Sequence, residues 1–331
     1  MKHVTIIVPN GEGNNLSSIV GAYKILTRAE EYWRQQGKGG VFAIQLAGIT
    51  DTVSFHGGLF NVTPHTHISA CRKTDLIIIP SLNHAYKKVV EQNQLIIDWI
   101  AYQYKQGTEI ATICTGAFLL ASTGLLDGKT CSTNWAAAND FRKMFPKVDL
   151  QPDKIITDEF GIYTNGGAYS FLNLMIYLIE KYYDRSTAIY CSKVFQIEMD
   201  RQSQSPFIIF SAQKQHGDDI IREVQEFIEN NLDQKISIEQ LCSKFAVGRR
   251  TFDRRFIHAT GNTPILYVQR VKMEAAKRAF ETARKTITEV MYEVGYTDVK
   301  AFREVFRKIT GMSPLEYRNR YNKDALPGFS A

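Results

Sequence analysis

The chain has no apolar run approaching the roughly 18 residues that a membrane-crossing helix requires. Its opening, MKHVTIIVPN, carries one Lys and too short an apolar stretch before Pro9 and Asn10 for a secretory signal, and reads as a first strand. These absences point to a cytoplasmic protein with no membrane partner. Cysteine is sparse: five thiols at 71, 114, 131, 191 and 242, odd in number and with no C-x-x-C pair, argue against a disulfide framework and against a zinc site. His65 and His67 in PHTH, and His84, have no carboxylate or thiol partner within their motif, so a surface hairpin is expected there and no metal. No cofactor is implied.

What is present is length and an uneven charge. At 331 residues the chain exceeds one compact domain of roughly 100 to 200 residues, so two domains are expected. The formal net charge is +6, but from Lys235 onward 19 Lys and Arg face 10 Asp and Glu, which puts +9 in this part and about −3 in the rest. A basic C-terminal part points to an anionic partner.

In the first half, β-branched runs alternate with helical patterns: HVTIIVP (3–9), a helix near 16–36, VFAIQLAGI (41–49), DLIIIP (75–80), a helix near 87–106, EIATI (109–113) and a helix from 115. Near-continuous apolar strands separated by helices require a mostly parallel sheet covered on both faces, an α/β doubly wound, flavodoxin-like fold. NVTPHTHISACRKTD (61–75) is expected as a side hairpin, DKIITDEFGIYTNGG as two strands around Glu159 to Gly161, and Ala168 to Tyr183 as a core helix. The Gln- and Ser-rich stretch near 200–218 reads as a linker, after which only amphipathic helices follow. The expected domains are 1–199 (α/β), 200–218 (linker), 219–322 (all-α) and 323–331 (tail).

Two segments of the all-α part share a plan. In SIEQLCSKFAVGRRTFDRRFIHATG (237–261), Ser237 caps a helix with apolar residues at 238, 241, 242 and 245, AVG turns, and a second helix buries Phe252 and Phe256. In TITEVMYEVGYTDVKAFREVFRKITGMSP (286–314), residues 287, 290, 291 and 294 repeat the spacing, and Phe302 and Phe306 repeat the aromatic pair. ATGNTP (259–264) and ITGMSP (309–314) close the two copies. Each copy reads as a helix-turn-helix whose second helix presents a basic face to a major groove roughly 12 Å wide. The Ala-rich helix near 263–280 between them acts as a stiff spacer, which fits heads near one duplex turn, roughly 34 Å, apart.

The segment from about 220 to 321 resembles the AraC-type DNA-binding domain, on the residues VGYTDVKAFREVFRKITGMSPLEYR above all. The resemblance implies a transcription regulator bound to double-stranded DNA, with RNA polymerase as a further partner. Carried over position by position, it makes Arg249, Arg250, Asp253 and Arg254 of the first helix and Val299, Lys300 and Arg303 of the second the base-contacting residues. Arg307, Lys308 and Arg318 are expected on phosphate, where they add affinity and salt dependence but no sequence information.

In the α/β part, EIATICTGAFLLASTGLL puts Cys114 between an apolar strand and a helix that begins at Thr115 and Gly116. A side chain on so sharp a turn projects above the sheet's carboxyl edge, and a helix N-terminus lowers a thiol pKa. Residues 3–185 resemble the ThiJ/PfpI branch of the class I glutamine-amidotransferase-like fold, and with the AraC-type part the chain resembles the GlxA-like regulators. Activity in that superfamily implies a His after a Thr about twenty residues beyond the Cys, and often a Glu from the first helix. Here CSTNWAA places Asn134 at the His position, and Asn cannot serve as a base near neutral pH. The Glu position falls near Ser17 or Ser18, with Glu12 close by, and the Gly-Gly after the central strand is Ser81-Leu82.

The expected function is therefore a DNA-binding transcription regulator whose first domain senses a small molecule, dimerises, or both, without catalysis. Its crevice would be lined by Ser17, Ser81, Asn83, Cys114, Thr115, Asn134 and Trp135. The resemblance implies an amine- or amino-acid-related effector and a homodimer. The rival is an active cysteine-dependent hydrolase or glyoxalase-type enzyme fused to a DNA-binding module.

Overall fold

Successive residues of a strand point to opposite faces, and in the first strand, β1 (Lys2–Val8), both faces are apolar. Val4, Ile6 and Val8 enter one hydrophobic core while Ile7 enters a second. The structure, a computed structural model, describes residues 1–322 apart from 13, 72, 202, 213 and 215; the tail expected over 323–331 lies outside them. The chain forms two compact units, Met1–Gln204 and a second beginning at Ser205.

The first unit continues from β1 through α1 (Leu16–Gln35), β2 (Phe42–Gly48), the hairpin β3 (Val53–Phe55) and β4 (Phe60–Val62), β5 (Thr66–His67), β6 (Leu76–Ile79), α2 (Tyr86–Gln92), α3 (Gln94–Lys105) and β7 (Glu109–Ile113). Then follow α4 (Ala117–Ser122), β8 (Thr130–Cys131), α5 (Ala138–Met144), β9 (Asp149–Leu150), β10 (Ile156–Glu159), β11 (Ile162–Asn165), α6 (Phe171–Tyr182) and α7 (Arg185–Phe195). The main sheet has the order β10-β11-β7-β6-β1-β2-β5, parallel except for β10 against β11. Ile78, Ala111 and Ile113 share the core of Val4, whereas Ile77, Ile79 and Ile110 share that of Ile7, so helices cover both faces as the sequence pattern requires. The chain runs from β1 to β2 on one side and returns to β6 on the other. The strand order thus reverses between β1 and β6, and such a switch point opens a crevice beyond the strands' carboxyl ends.

Three local expectations are corrected. The helix expected over 87–106 is two helices broken at Asn93, whose Nδ2 bonds back to the Val89 carbonyl at 2.7 Å and out to the Asn10 carbonyl at 2.7 Å, while its Oδ1 accepts from Asn10 N at 2.8 Å. The hairpin expected over 61–75 lies upstream, because His56, Gly57 and Gly58 with φ of 52°, 66° and 90° reverse the chain between β3 and β4. Thr66–His67 adds instead as a parallel edge strand beside β2. The helix expected from 115 is preceded by a 3-10 turn, Cys114–Gly116.

The boundary between the two units falls within the stretch expected as linker. Gln204 is buried in the first unit, and Ser205–Phe207 begins the second with a 3-10 turn. The second unit contains α8 (Asp219–Asn230), α9 (Ile238–Lys244), α10 (Arg249–Thr260), α11 (Pro264–Thr282), α12 (Ile287–Glu293), α13 (Val299–Thr310) and α14 (Pro314–Tyr321). The internal repeat extends to the hydrogen bonds that end α10 and α13: Thr260 Oγ1 donates to the Phe256 carbonyl and Thr310 Oγ1 to the Phe306 carbonyl, both at 2.8 Å. Gly261 and Gly311 terminate α10 and α13 with φ of 67° and 73°, a left-handed cap that glycine adopts without strain. Capping boxes start α9, α12 and α14 at Ser237, Thr286 and Ser313.

Candidate ligand crevice and nucleic-acid interface

At the end of β7 the backbone bends sharply, and Cys114 takes φ 54°, a left-handed conformation unusual outside glycine. Its side chain is buried, 3% exposed. The turn can pack against β6 only because Gly116 lacks a side chain: a Cβ there would lie 2.6 Å from the Pro80 carbonyl oxygen and 2.7 Å from that of Ile79. The strand-to-helix elbow expected from the sequence is therefore formed.

The surroundings of the elbow are closed by the protein's own hydrogen bonds. Thr115 Oγ1 accepts from Leu82 N at 2.8 Å and lies 2.9 Å from both the Leu82 carbonyl oxygen and Ser81 Oγ. Ser81 N donates to Ser18 Oγ at 3.1 Å, Asn83 N to Asn14 Oδ1 at 3.0 Å, and Ala85 N to Asn83 Oδ1 at 2.8 Å. Asn15 N reaches the Ser81 carbonyl at 3.1 Å, and Asn83 Nδ2 bonds the Glu12 carbonyl. The loops after β1 and β6 are thus knitted together at the switch point, and every amide from Ser81 to Asn83 has an acceptor.

Of the residues expected to line the crevice, Ser81, Thr115 and Asn83 form this network, while the Cys114 carbonyl accepts from Thr133 Oγ1 at 2.9 Å. Ser18 is the buried hydroxyl of α1 at this junction; Ser17 is exposed, its Oγ 3.4 Å from the Tyr169 hydroxyl. Asn134 uses its Oδ1 to cap the next turn, accepting from Ala136 N at 2.8 Å. Trp135 is half-buried, and its amide faces Gln204 Oε1 at 3.4 Å. Tyr86 stacks on Phe118 with ring centroids 4.0 Å apart, and burial pushes its hydroxyl up to about 12.

Two residues were missed in the sequence. Gln204, taken for linker, places Nε2, with its two N–H donors, 2.9 to 3.0 Å from the carbonyl oxygens of Thr133, Pro152 and Lys154 and so holds the Thr133–Trp135 loop. Asn165, at the end of β11 and in register with Ile113, bonds through Nδ2 to Ile155 and Ser170, while its buried Oδ1 has no hydrogen-bond partner among the described residues. Asn165-Gly166-Gly167 directly after a strand was the available signal.

Histidines 65, 67 and 84 serve local bonds, to Leu46 N at 2.8 Å, Ser69 Oγ at 2.7 Å and the Tyr86 hydroxyl at 2.9 Å respectively. No helix among the described residues is long and apolar enough to cross a membrane.

In the second unit α10 buries Phe252 and Phe256 and α13 buries Phe302 and Phe306, which turns the opposite, basic face of each helix outward. Arg250 and Arg254 are exposed and make no ion pair among the described residues. Arg249 is engaged, with Nη1 2.6 Å from Glu239 Oε1 and Nε 2.9 Å from Asp253 Oδ2, so Asp253 orients an arginine on the same face. On α13, Val299, Lys300, Arg303, Arg307 and Lys308 are all exposed. Arg318 is half-buried and donates to the Lys285 carbonyl at 3.4 Å.

A DJ-1/PfpI family pattern matches residues 12–180 and a helix-turn-helix domain pattern matches residues 241–320. The chain belongs to the DJ-1/PfpI family, and its second unit is an AraC-type helix-turn-helix domain. Among relatives, it is 23% identical over 261 residues to the HTH-type transcriptional regulator GbdR of Pseudomonas aeruginosa, covering 78% of this chain and 69% of that one. It is 24% identical over 216 residues to the HTH-type transcriptional regulator GlxA of Rhizobium meliloti, covering 65% and 66%. Among solved structures, a ThiJ/PfpI family protein from Pseudomonas syringae superposes with a TM-score of 0.50 at 15% identity, over 69% of this chain and 86% of that one. With this domain pair and these relatives, the protein is an HTH-type transcriptional regulator of the GlxA-like group.

Proposed function

We propose that the first unit is a non-catalytic sensor whose crevice above β1, β6 and β7 takes a small polar molecule of the amine or amino-acid class, and that the second unit reads DNA through α10 and α13. The observation that carries the non-catalytic reading is the capture of the Ser81, Leu82 and Asn83 amides by Ser18, Thr115 and Asn14. Stabilising an oxyanion requires N–H donors that are aimed at the reacting atom and free to bond it, and these are committed. Asn134 in place of a proton-transferring His, with its Oδ1 committed to Ala136 N, supports the same reading.

The ligand-facing residues in this reading are Ser81, Asn83, Cys114, Thr115, Asn134 and Trp135, with Ser17 at the exposed rim. The half-buried indole of Trp135 favours a cationic amine, through the attraction of a cation to an aromatic face. On the DNA, Arg250, Arg254, Lys300 and Arg303 read bases, Arg249 does so in the orientation set by Asp253, Val299 contacts apolar base edges, and Arg307, Lys308 and Arg318 hold phosphate. A homodimer, each protomer spanning two half-sites with its two heads and acting on RNA polymerase at a promoter, completes the reading.

The test is selection of bound sequences from random DNA with and without a panel of amines and amino acids, beside the Cys114→Ala variant. The expected result is one enriched operator, an effector-dependent change in its binding, and a response in Cys114→Ala that is retained at a shifted effector concentration. Loss of the response in that variant, together with rapid iodoacetamide labelling of Cys114 in the wild type, would overturn the non-catalytic reading.

A further inference from the structure

The second unit has two hydrophobic cores, and they divide along α11. Tyr267, Val268 and Val271 belong to the core of the first helix-turn-helix, with Leu241, Phe252 and Phe256. Met273, Ala276 and Phe280 belong to that of the second, with Val290, Phe302 and Phe306. Between Val271 and Met273 stands Lys272, a lysine only 4% exposed at the seam of the two cores.

An ammonium has three N–H donors and no acceptor, and at Lys272 all three are used. Nζ donates to the carbonyls of Leu232 at 2.9 Å and Gln234 at 2.7 Å, both in the loop that leads into α9, and to that of Val294 at 2.9 Å, which caps α12 in the turn before α13. One donor set therefore ties the lead-in of the first head to the turn of the second. The positive charge lies at the carboxyl end of α12, where the helix dipole favours it. Nζ also lies 5.6 Å from the Tyr296 ring centroid, and Tyr296 packs edge-on against Phe302 of α13 at 5.6 Å. Gly295 leaves the room this needs, since a Cβ there would stand 2.6 Å from Lys272 Nζ and 2.7 Å from the Asp233 carbonyl oxygen.

We propose that Lys272 is the positioning residue that sets the separation and relative orientation of the two DNA-reading helices. The inference rests on the reading that both heads engage one DNA molecule. Two linked heads gain affinity from each other only at spacings their connection permits, and a stiff connection restricts those spacings. Without the tripod, that restraint would fall to α11 and to the 205–210 segment, whose Phe210 packs on Tyr267 and whose Ile208 carbonyl accepts from Lys277 Nζ, while each core keeps its own apolar residues.

The experiment uses the full chain and a library of duplexes in which the two half-sites, defined by selection on random DNA, are separated by every spacer within one helical turn. The wild type is expected to show one sharp spacing optimum. Lys272→Met is expected to flatten that optimum, losing about tenfold at the best spacing while binding a single half-site within about threefold of wild type. Lys272→Arg, which keeps the charge but spreads its donors in a plane, serves if Lys272→Met does not fold, and is expected to displace or broaden the optimum. An unchanged optimum in a folded variant would overturn the proposal alone. A wild type that selects no pair of half-sites would overturn the two-headed reading and the proposal with it.

Discussion

Arg255 closes on Asp218 with two parallel hydrogen bonds, Nε to Oδ2 at 2.8 Å and Nη2 to Oδ1 at 2.7 Å. Asp218 also caps α8 by accepting from Ile221 N at 3.1 Å, so one carboxylate starts a helix and holds α10 against it. The Arg255 hydrogen bonds come first among the causes that keep the Asp218 carboxyl below its ordinary value of 3.8. A carboxylate with a depressed native pKa stabilises the fold above its unfolded pKa, and the contribution is lost as pH falls through the native value. Asp218→Asn, which keeps the capping oxygen, is expected to unfold more easily than wild type near pH 6, and the difference is expected to shrink by about pH 3. Asp218→Ala is expected to lose about 1 kcal/mol more, for the cap. Urea unfolding at the two pH values checks both.

Thr115→Val removes the hydroxyl shared by Ser81 and Leu82 and leaves the buried Leu82 amide without an acceptor. The expected loss of stability is about 1 to 3 kcal/mol. Thr115→Ser keeps the oxygen and is expected to stay much closer to wild type. Thermal or denaturant unfolding of the three proteins decides the matter.

Gly116→Ala drives a methyl group into two backbone carbonyls that cannot swing away, at 2.6 and 2.7 Å. Overpacking of this kind costs about 1 to 3 kcal/mol, and the Cys114 elbow is expected to shift with it. Gly39→Ala, where a Cβ meets nothing within 4 Å, is the matched control and is expected to stay within about 0.5 kcal/mol of wild type.

Arg254→Ala and Lys300→Ala delete exposed cations from the outward faces of α10 and α13. Each is expected to weaken operator binding by about 1 to 3 kcal/mol and random-DNA binding by less. Arg307→Ala is expected to weaken both alike and to lower the salt dependence by about one phosphate contact. Titrations at several salt concentrations separate the two classes.

The sheet was legible from near-continuous apolar strands that alternate with helical patterns, and the helix-turn-helix repeat from apolar residues three and four apart in α9, α10, α12 and α13. The amide network at Ser81 to Asn83 was not, since its partners Ser18, Asn14 and Thr115 lie 33 to 69 positions away and follow no period. Asn93 broke an amphipathic helix for the same reason, by bonding a loop 83 residues distant. Lys272 looked like any lysine of a spacer helix. Its burial follows from two cores ending on either side of it, which no window of local sequence contains.

Strand β1 stands in the interior of its sheet, and its backbone neighbour β6 follows it by 72 residues. At a synthesis rate of about 5 to 20 residues per second, that leaves the apolar β1 unpaired on this edge for roughly 4 to 14 seconds in the cell. The helices of the second unit meet partners close in sequence, and such topologies close quickly. Chaperone dependence, and the losses on heating that follow from misassembly, should therefore concentrate in the half that carries Cys114.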